Sequence, residues 1–188
     1  FYPESFALVE NKDILSEEIE FESKPFICTD PPYYDNIDYA DISDYFYVWL
    51  KEALKDIYPN LFKTILTPKS SELIAPSHRF DGDKVKAAQF FNKGMSLAIN
   101  RISNLASPEL PTIFYYAYKQ TETSQDGVIS TGWETFLQGL INANYTITAT
   151  WPMRTEREQG LKTGSNVLAS SIIIAARKRS DFLNICTR

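Results

Sequence analysis

Pro25-Phe26-Ile27-Cys28-Thr29-Asp30-Pro31-Pro32-Tyr33-Tyr34 is where the reading of this chain begins. An apolar run stops abruptly at an acid and a pair of prolines. Short apolar runs bounded in this way are typical of buried parallel strands. Proline has no N–H and fixes its own φ. Pro31 therefore holds Asp30 extended, and Pro32 does the same to Pro31. A stiff loop results at the strand's end. It displays carbonyl oxygens without competing donors, beside the Asp30 carboxylate and the flat face of Tyr33.

Downstream, Ile42, Phe46, Trp49, Leu50 and Leu54 recur at helical spacing and predict a helix from about Asp41, its cap, to Leu54. Trp49 falls on that stripe and is expected in the core. Residues 56–82 read as loop, punctuated by Pro59, Pro68, Pro76 and Gly82. A second helix is predicted over Asp83–Leu105, with the stripe Ala87, Phe91, Met95, Ala98, Ile102 and Leu105. Thr112–Tyr118 reads as a strand. Thr131-Gly132-Trp133-Glu134 has the form of a capping box and opens a third helix, which places Trp133 in the core and ends near Asn144. Tyr145–Trp151 and Val167–Ala176 read as strands, the latter ending in Arg177-Lys178-Arg179. Strands alternating with helices imply a parallel α/β sheet. With no helix between them, the last two strands must be neighbours as an antiparallel hairpin or be joined by a long excursion. The acidic residues 1–24 read as a lead-in, 25–179 as the domain and 180–188 as a tail.

The chain has 188 residues and a net charge of -5, enough for one domain with a real core. A stand-alone DNA-binding module is usually basic, so any DNA contact has to use a local patch or another part of the protein. Two cysteines, Cys28 and Cys186, support neither a zinc site nor a disulfide framework and favour a reducing cytoplasm. No apolar run reaches membrane-spanning length. The first residue is not Met, which suggests a piece of a longer chain.

The acceptors at the proline loop suit one task. An exocyclic amino group on a nucleobase is a poor nucleophile, because its lone pair is delocalised into the ring. Asp30 and the Pro31 carbonyl can accept its two hydrogens and turn the lone pair toward an electrophilic methyl, so that positioning and electrostatics do most of the work. Tyr33 can stack on a base turned out of the helix, worth about 1–3 kcal/mol. Asp-Pro-Pro is also a plain turn, and Tyr33 can be core. Its place after a strand, followed by Tyr34, Tyr39 and Tyr45, weighs toward a site.

Asp-Pro-Pro-Tyr after a strand resembles the signature of amino-methyltransferases acting on adenine or cytosine. The longer stretch from Asp30 to Leu50 is similar to the large prokaryotic adenine-specific DNA methylases associated with a zinc ribbon. Ser130–Thr135, Thr150–Glu156 and Asn166–Ile172 are similar to the same family, so the resemblance covers about residues 25–179. It implies an α/β, Rossmann-like, seven-stranded methyltransferase sheet. This chain would supply strands four to seven, the last antiparallel. It implies S-adenosylmethionine as cofactor and methylation of the adenine 6-amino group in DNA. It assigns catalysis to Asp30, Pro31, Pro32 and Tyr33. Tyr34, Tyr39, Trp151, Arg154 and Asn166 are candidate substrate contacts, and Asp30 a cofactor contact. Trp151, Arg154 and Glu156 would fall at the sheet edge of Asp30, with Arg177-Lys178-Arg179 at the other.

One element of that pattern is missing. The seven glycines form no Asp-Pro-Phe-x-Gly-x-Gly loop to hold the cofactor's methionine part. Most of the cofactor site is therefore expected on a missing N-terminal half of the same protein or on a partner subunit, with this chain inactive alone. His78 reads as surface. Lys69 and Glu72, in the long loop, and Arg154, Arg157 and Lys162, in the loop 152–166, are candidate DNA contacts or simply solvated. Rival readings are a cytosine 4-amino methyltransferase, where serine is commoner in place of Asp30, and a protein glutamine methyltransferase, where asparagine is favoured. The third is a non-catalytic module that binds DNA or a partner. No metal and no membrane association are expected.

Overall fold

The computed structural model describes residues 7–16, 18–34, 37–117, 131–153 and 171–179. It contains β1 (Cys28–Thr29), α1 (Tyr39–Leu54), a 3-10 turn (Ser77–Phe80), α2 (Lys84–Leu105), β2 (Thr112–Ala117), α3 (Thr131–Asn142), β3 (Tyr145–Met153) and β4 (Ser171–Lys178). The chain divides into two compact units. One comprises Phe1–Glu20 with Tyr39–Ser71, the other Phe21–Asp38 with Glu72–Arg188.

The second unit is an α/β layer. Its four strands lie in the order β1-β2-β4-β3. β1 runs parallel to β2, with Thr29 opposite Phe114. β4 runs antiparallel to both β2 and β3. The sheet is thus mixed rather than purely parallel, and the last two strands are antiparallel neighbours. β1 is shorter than the apolar run Pro25–Thr29, but the backbone bond from Ile113 N–H to the Ile27 carbonyl, 2.9 Å, extends the pairing.

Alternation along β2 builds the core. Phe114 and Tyr116 point to one face and pack with Phe91, Met95 and Ile99 of α2 and with Phe136 and Leu140 of α3. Tyr116 stacks on Phe136 at 4.5 Å, and Phe114 meets Tyr145 edge-on at 5.7 Å. Tyr145 and Thr112 share a hydrogen bond between their hydroxyls, 3.0 Å, so the buried phenol is partnered. Burial raises the Tyr145 pKa, and that bond offsets part of the rise. The expected α2 stripe is buried at Ala87, Phe91, Met95 and Ala98. Asp83 caps the helix, accepting from the N–H groups of Val85 and Lys86. Trp133 is partly buried against the core. α3 ends at Asn142, and Asn144 takes the left-handed conformation, φ 61°, just beyond it.

β3 contains a bulge between Ile147 and Ala149. Side chains alternate with period two, so one extra residue moves everything after it to the other face. Tyr145 is 2% exposed and faces the helices, whereas Trp151 is 51% exposed on the opposite face.

At the far end of the sheet, Arg177 donates to the Glu109 carbonyl, Lys178 to Ser103 and Arg179 to Ile141. The basic run therefore satisfies carbonyls near the C-termini of α2 and α3, where a cation is favoured.

In the first unit, α1 starts at Tyr39, two residues before the expected start, so Asp41 is a first-turn residue and not the cap. The predicted inward stripe is also corrected. Ile42, Phe46, Trp49 and Leu50 are all exposed, Trp49 by 70%. The covered side of α1 is polar. Asp44 accepts from Lys69 Nζ at 2.6 Å, from the Thr67 N–H at 2.9 Å and from the Thr67 hydroxyl.

Phe136 is fully enclosed, so Phe136→Ala should cost about 3–5 kcal/mol of unfolding free energy by urea titration. The hydrogen bond from Lys69, then that from Thr67, lowers the Asp44 pKa from 3.8 to about 2. A depressed carboxylate stabilises the fold above its unfolded pKa. The Asp44 contribution should thus be intact above about pH 4 and lost as pH falls toward 2. Carboxyl NMR titration of wild type against Lys69→Met, which should move the midpoint upward, measures it.

Candidate functional site

Asp30 follows β1 directly, at the carboxyl end of the strand, and its side chain is exposed. Its Oδ1 accepts a 3.0 Å hydrogen bond from the Tyr33 hydroxyl. Pro31 and Pro32 set this geometry, because the rigid pair folds Tyr33 back over the residue three before it. A carboxylate has about four acceptor sites, so Asp30 keeps capacity for a ligand N–H. The Tyr33 ring is half-buried and meets Tyr116 edge-on at 5.9 Å.

The residues after Tyr33 anchor the loop. The Tyr34 carbonyl accepts from the Ala75 N–H at 2.6 Å. The Tyr34 ring packs edge-on against Phe91 of α2 at 5.0 Å, so it lies against the core beneath the loop. Arg79, only 17% exposed, donates to Glu72 Oε2 at 2.6 Å and has its other terminal nitrogen 3.9 Å from Asp38 Oδ1. His78 is exposed, with Nε2 3.8 Å from Asp38 Oδ2. Glu72 thus braces the loop's end, and Lys69 braces α1 through Asp44. These contacts employ the side chains that sequence offered to DNA.

Gly132, in the first turn of α3, is a contributor that sequence reasoning passed over. A Cβ there would lie 2.7 Å from Tyr34 Cβ and 3.1 Å from Tyr116 Oη. Helical glycine costs about 1 kcal/mol relative to alanine, so a glycine in a helix's first turn is itself a sign of close approach. Arg79 gave no such sign, since a polar loop residue looks the same whether braced or solvated.

The candidates do not all converge. Asp30, Pro31, Pro32, Tyr33 and Tyr34 form one loop. Trp151 lies at the same end of the sheet, level with Tyr115 and Ile173. It is, however, three strand spacings from β1, about 14 Å. Tyr39 opens α1 and belongs to the first unit. Arg154, Glu156, Arg157, Lys162 and Asn166 lie outside the described residues, as does the 180–188 tail. Among the described residues no group of three His, Cys, Asp or Glu side chains could hold a metal, and no helix is long and apolar enough to cross a membrane.

Among the described residues the architecture is α/β, with a four-stranded mixed sheet and three α-helices. Comparison with protein-family models, with characterised proteins and with solved structures gives no match.

The Gly132 contact is directly testable. Gly132→Ala must displace Tyr34 or the start of α3 and should cost about 1–3 kcal/mol. Alanine is otherwise the better helix former. An unchanged or raised denaturation midpoint would show that α3 does not press on the loop.

Proposed function

We propose that this chain carries the catalytic half of an S-adenosylmethionine-dependent amino-methyltransferase acting on the 6-amino group of adenine in DNA. The observation that carries the reading is the exposed Asp30 carboxylate at the carboxyl end of β1, oriented by the Tyr33 hydroxyl at 3.0 Å. Ligands of open α/β sheets bind beyond the carboxyl ends of strands. A sheet whose last strand runs antiparallel, as β4 does, fits the partial Rossmann-like methyltransferase sheet that the sequence resembles.

In this reading Asp30 accepts one amino hydrogen and the Pro31 carbonyl the other. The nitrogen lone pair is drawn out of conjugation and aimed away from the loop. Pro32 contributes no donor that would compete. The exposed part of the Tyr33 ring stacks on the flipped base, and its hydroxyl keeps the carboxylate in plane. Once alkylated, the amino group is acidic, and the Asp30 carboxylate passes its proton to water without a dedicated strong base.

The residues present suit one end of the cofactor. Asp30 is an exposed carboxylate, a fitting acceptor for the ammonium of a methionine moiety. No glycine-rich cradle occurs among the seven glycines, so the remainder of that site is assigned to another segment or a partner subunit. When bound, S-adenosylmethionine supplies an electrophilic methyl group on a sulfonium sulfur. Trp151, displaced across the sheet, is assigned to a neighbouring nucleotide and not to the flipped base. Arg154, Asn166 and Tyr39 remain proposed substrate contacts.

In the enzyme assembled with its cofactor loop, Asp30→Ala should lower methylation about 100- to 1,000-fold with an unchanged circular dichroism spectrum. Tyr33→Phe, which loses one hydrogen bond, should cost about 5- to 10-fold. Mass spectrometry of digested product DNA separates 6-methyladenine from 4-methylcytosine. Full activity of Asp30→Ala would sink the mechanism. If S-adenosylmethionine gave no calorimetric heat with the assembled protein, the non-catalytic binding module would stand instead.

A further inference from the structure

In the second unit, β2 and α3 build an aromatic post beside the proline loop. Tyr116 of β2 is 1% exposed. Its ring stacks on Phe136 at 4.5 Å, with 18° between the planes, and Trp133 tilts against it at 5.7 Å. Its hydroxyl reaches the first turn of α3, where a Cβ on Gly132 would come within 3.1 Å of it. Phe136, Trp133 and Gly132 all belong to α3, so one helix holds the ring at several points. A further contact leaves the core, where the Tyr33 ring meets Tyr116 at 5.9 Å and 74°. Pro31 and Pro32 fix the backbone before Tyr33 but not its side-chain torsions. Those torsions choose among staggered wells roughly 120° apart, and a jump would take the Tyr33 hydroxyl out of reach of Asp30 Oδ1, 3.0 Å away.

We propose that Tyr116 is a positioning residue for the Asp30 carboxylate, acting through the Tyr33 ring. α3 clamps Tyr116, and the edge-to-face contact with Tyr116 selects one orientation of Tyr33, because such ring pairs hold a preferred angle. The Tyr33 hydroxyl then holds the carboxylate. Close packing makes the post stiff, since a buried ring has no empty volume to swing into. With 1% of its surface exposed, Tyr116 has nothing to offer a base, so its influence on the site is indirect. A residue that only filled the core would change stability and leave no specific signal at Asp30. The effect of Tyr116 on rate rests on the methyl-transfer reading, whereas its effect on the Asp30 carboxylate does not.

Carboxyl NMR of the 188-residue chain at pH 7 tests it, with the Asp30 signal assigned by its loss in Asp30→Asn. Tyr33→Phe removes the hydrogen bond and moves that signal. Tyr116→Met fills the volume with a flexible side chain but removes the flat ring. It should move the Asp30 signal in the same direction, and Tyr116→Phe should restore it. Combining Tyr116→Met with Tyr33→Phe should move it no further than Tyr33→Phe alone, as a double-mutant cycle requires of residues that act in series. In the assembled enzyme Tyr116→Met should lower kcat about 5- to 10-fold, matching Tyr33→Phe, and Tyr116→Phe should recover most of the rate. An Asp30 signal unmoved by Tyr116→Met, or one that shifts additively in the double variant, overturns the proposal. So does the lack of a nuclear Overhauser effect between the Tyr33 and Tyr116 rings in the unaltered chain, a measurement that stands even if Tyr116→Met does not fold. An assembled wild type that methylates nothing, with the Asp30 response intact, supports the Tyr116 assignment and removes the methyl-transfer reading alone.

Discussion

A loop built on two successive prolines cannot hold itself in place, because it lacks the N–H groups that would tie it to its own neighbours. Its position must come from outside, and the bond from the Ala75 N–H to the Tyr34 carbonyl, 2.6 Å, supplies it. The rest of the site depends on that anchor. With Tyr34 fixed, its ring packs on Phe91 and its Cβ sits against Gly132. Tyr33 then projects back over Asp30 and orients the carboxylate. Arg79, held by Glu72 beside Asp38, braces the loop's far end.

The anchors come from parts of the chain distant in sequence, and the core explains how they meet. Phe114 and Tyr116 of β2 draw α2 and α3 onto one face of the sheet. α3 thereby delivers Gly132, and α2 delivers Phe91, to the side of the loop. Tyr116 belongs both to the core, stacked on Phe136, and to the site, under the edge of Tyr33. A defect in that aromatic stack would therefore be felt at Asp30 without touching the loop itself.

Much of the fold was legible in sequence because its elements carry strong local patterns. The α2 stripe, the apolar run before Asp30 and the proline loop owe their form to residue type and spacing alone. What was not legible follows one logic. Periodicity reports that a helix has an apolar side and never what faces it, so the stripe containing Trp49 read as core and is exposed. Likewise, Lys69 and Glu72 read as candidate DNA contacts or solvated loop residues, because bracing contacts between loops leave no periodic trace.

The amino acid order alone determined a stiff, acceptor-rich hinge after a strand, since the φ restrictions of Pro31 and Pro32 need no tertiary partner. It also determined the alternation of strands and helices that makes the fold α/β. Tertiary structure alone decided the register. A single extra residue near Thr148 carries Trp151 to the face opposite Tyr145, and the strand order leaves it about 14 Å from Asp30. Strand pairing is a relation between distant segments, so no local pattern could have revealed that these two residues share an end of the sheet three strands apart.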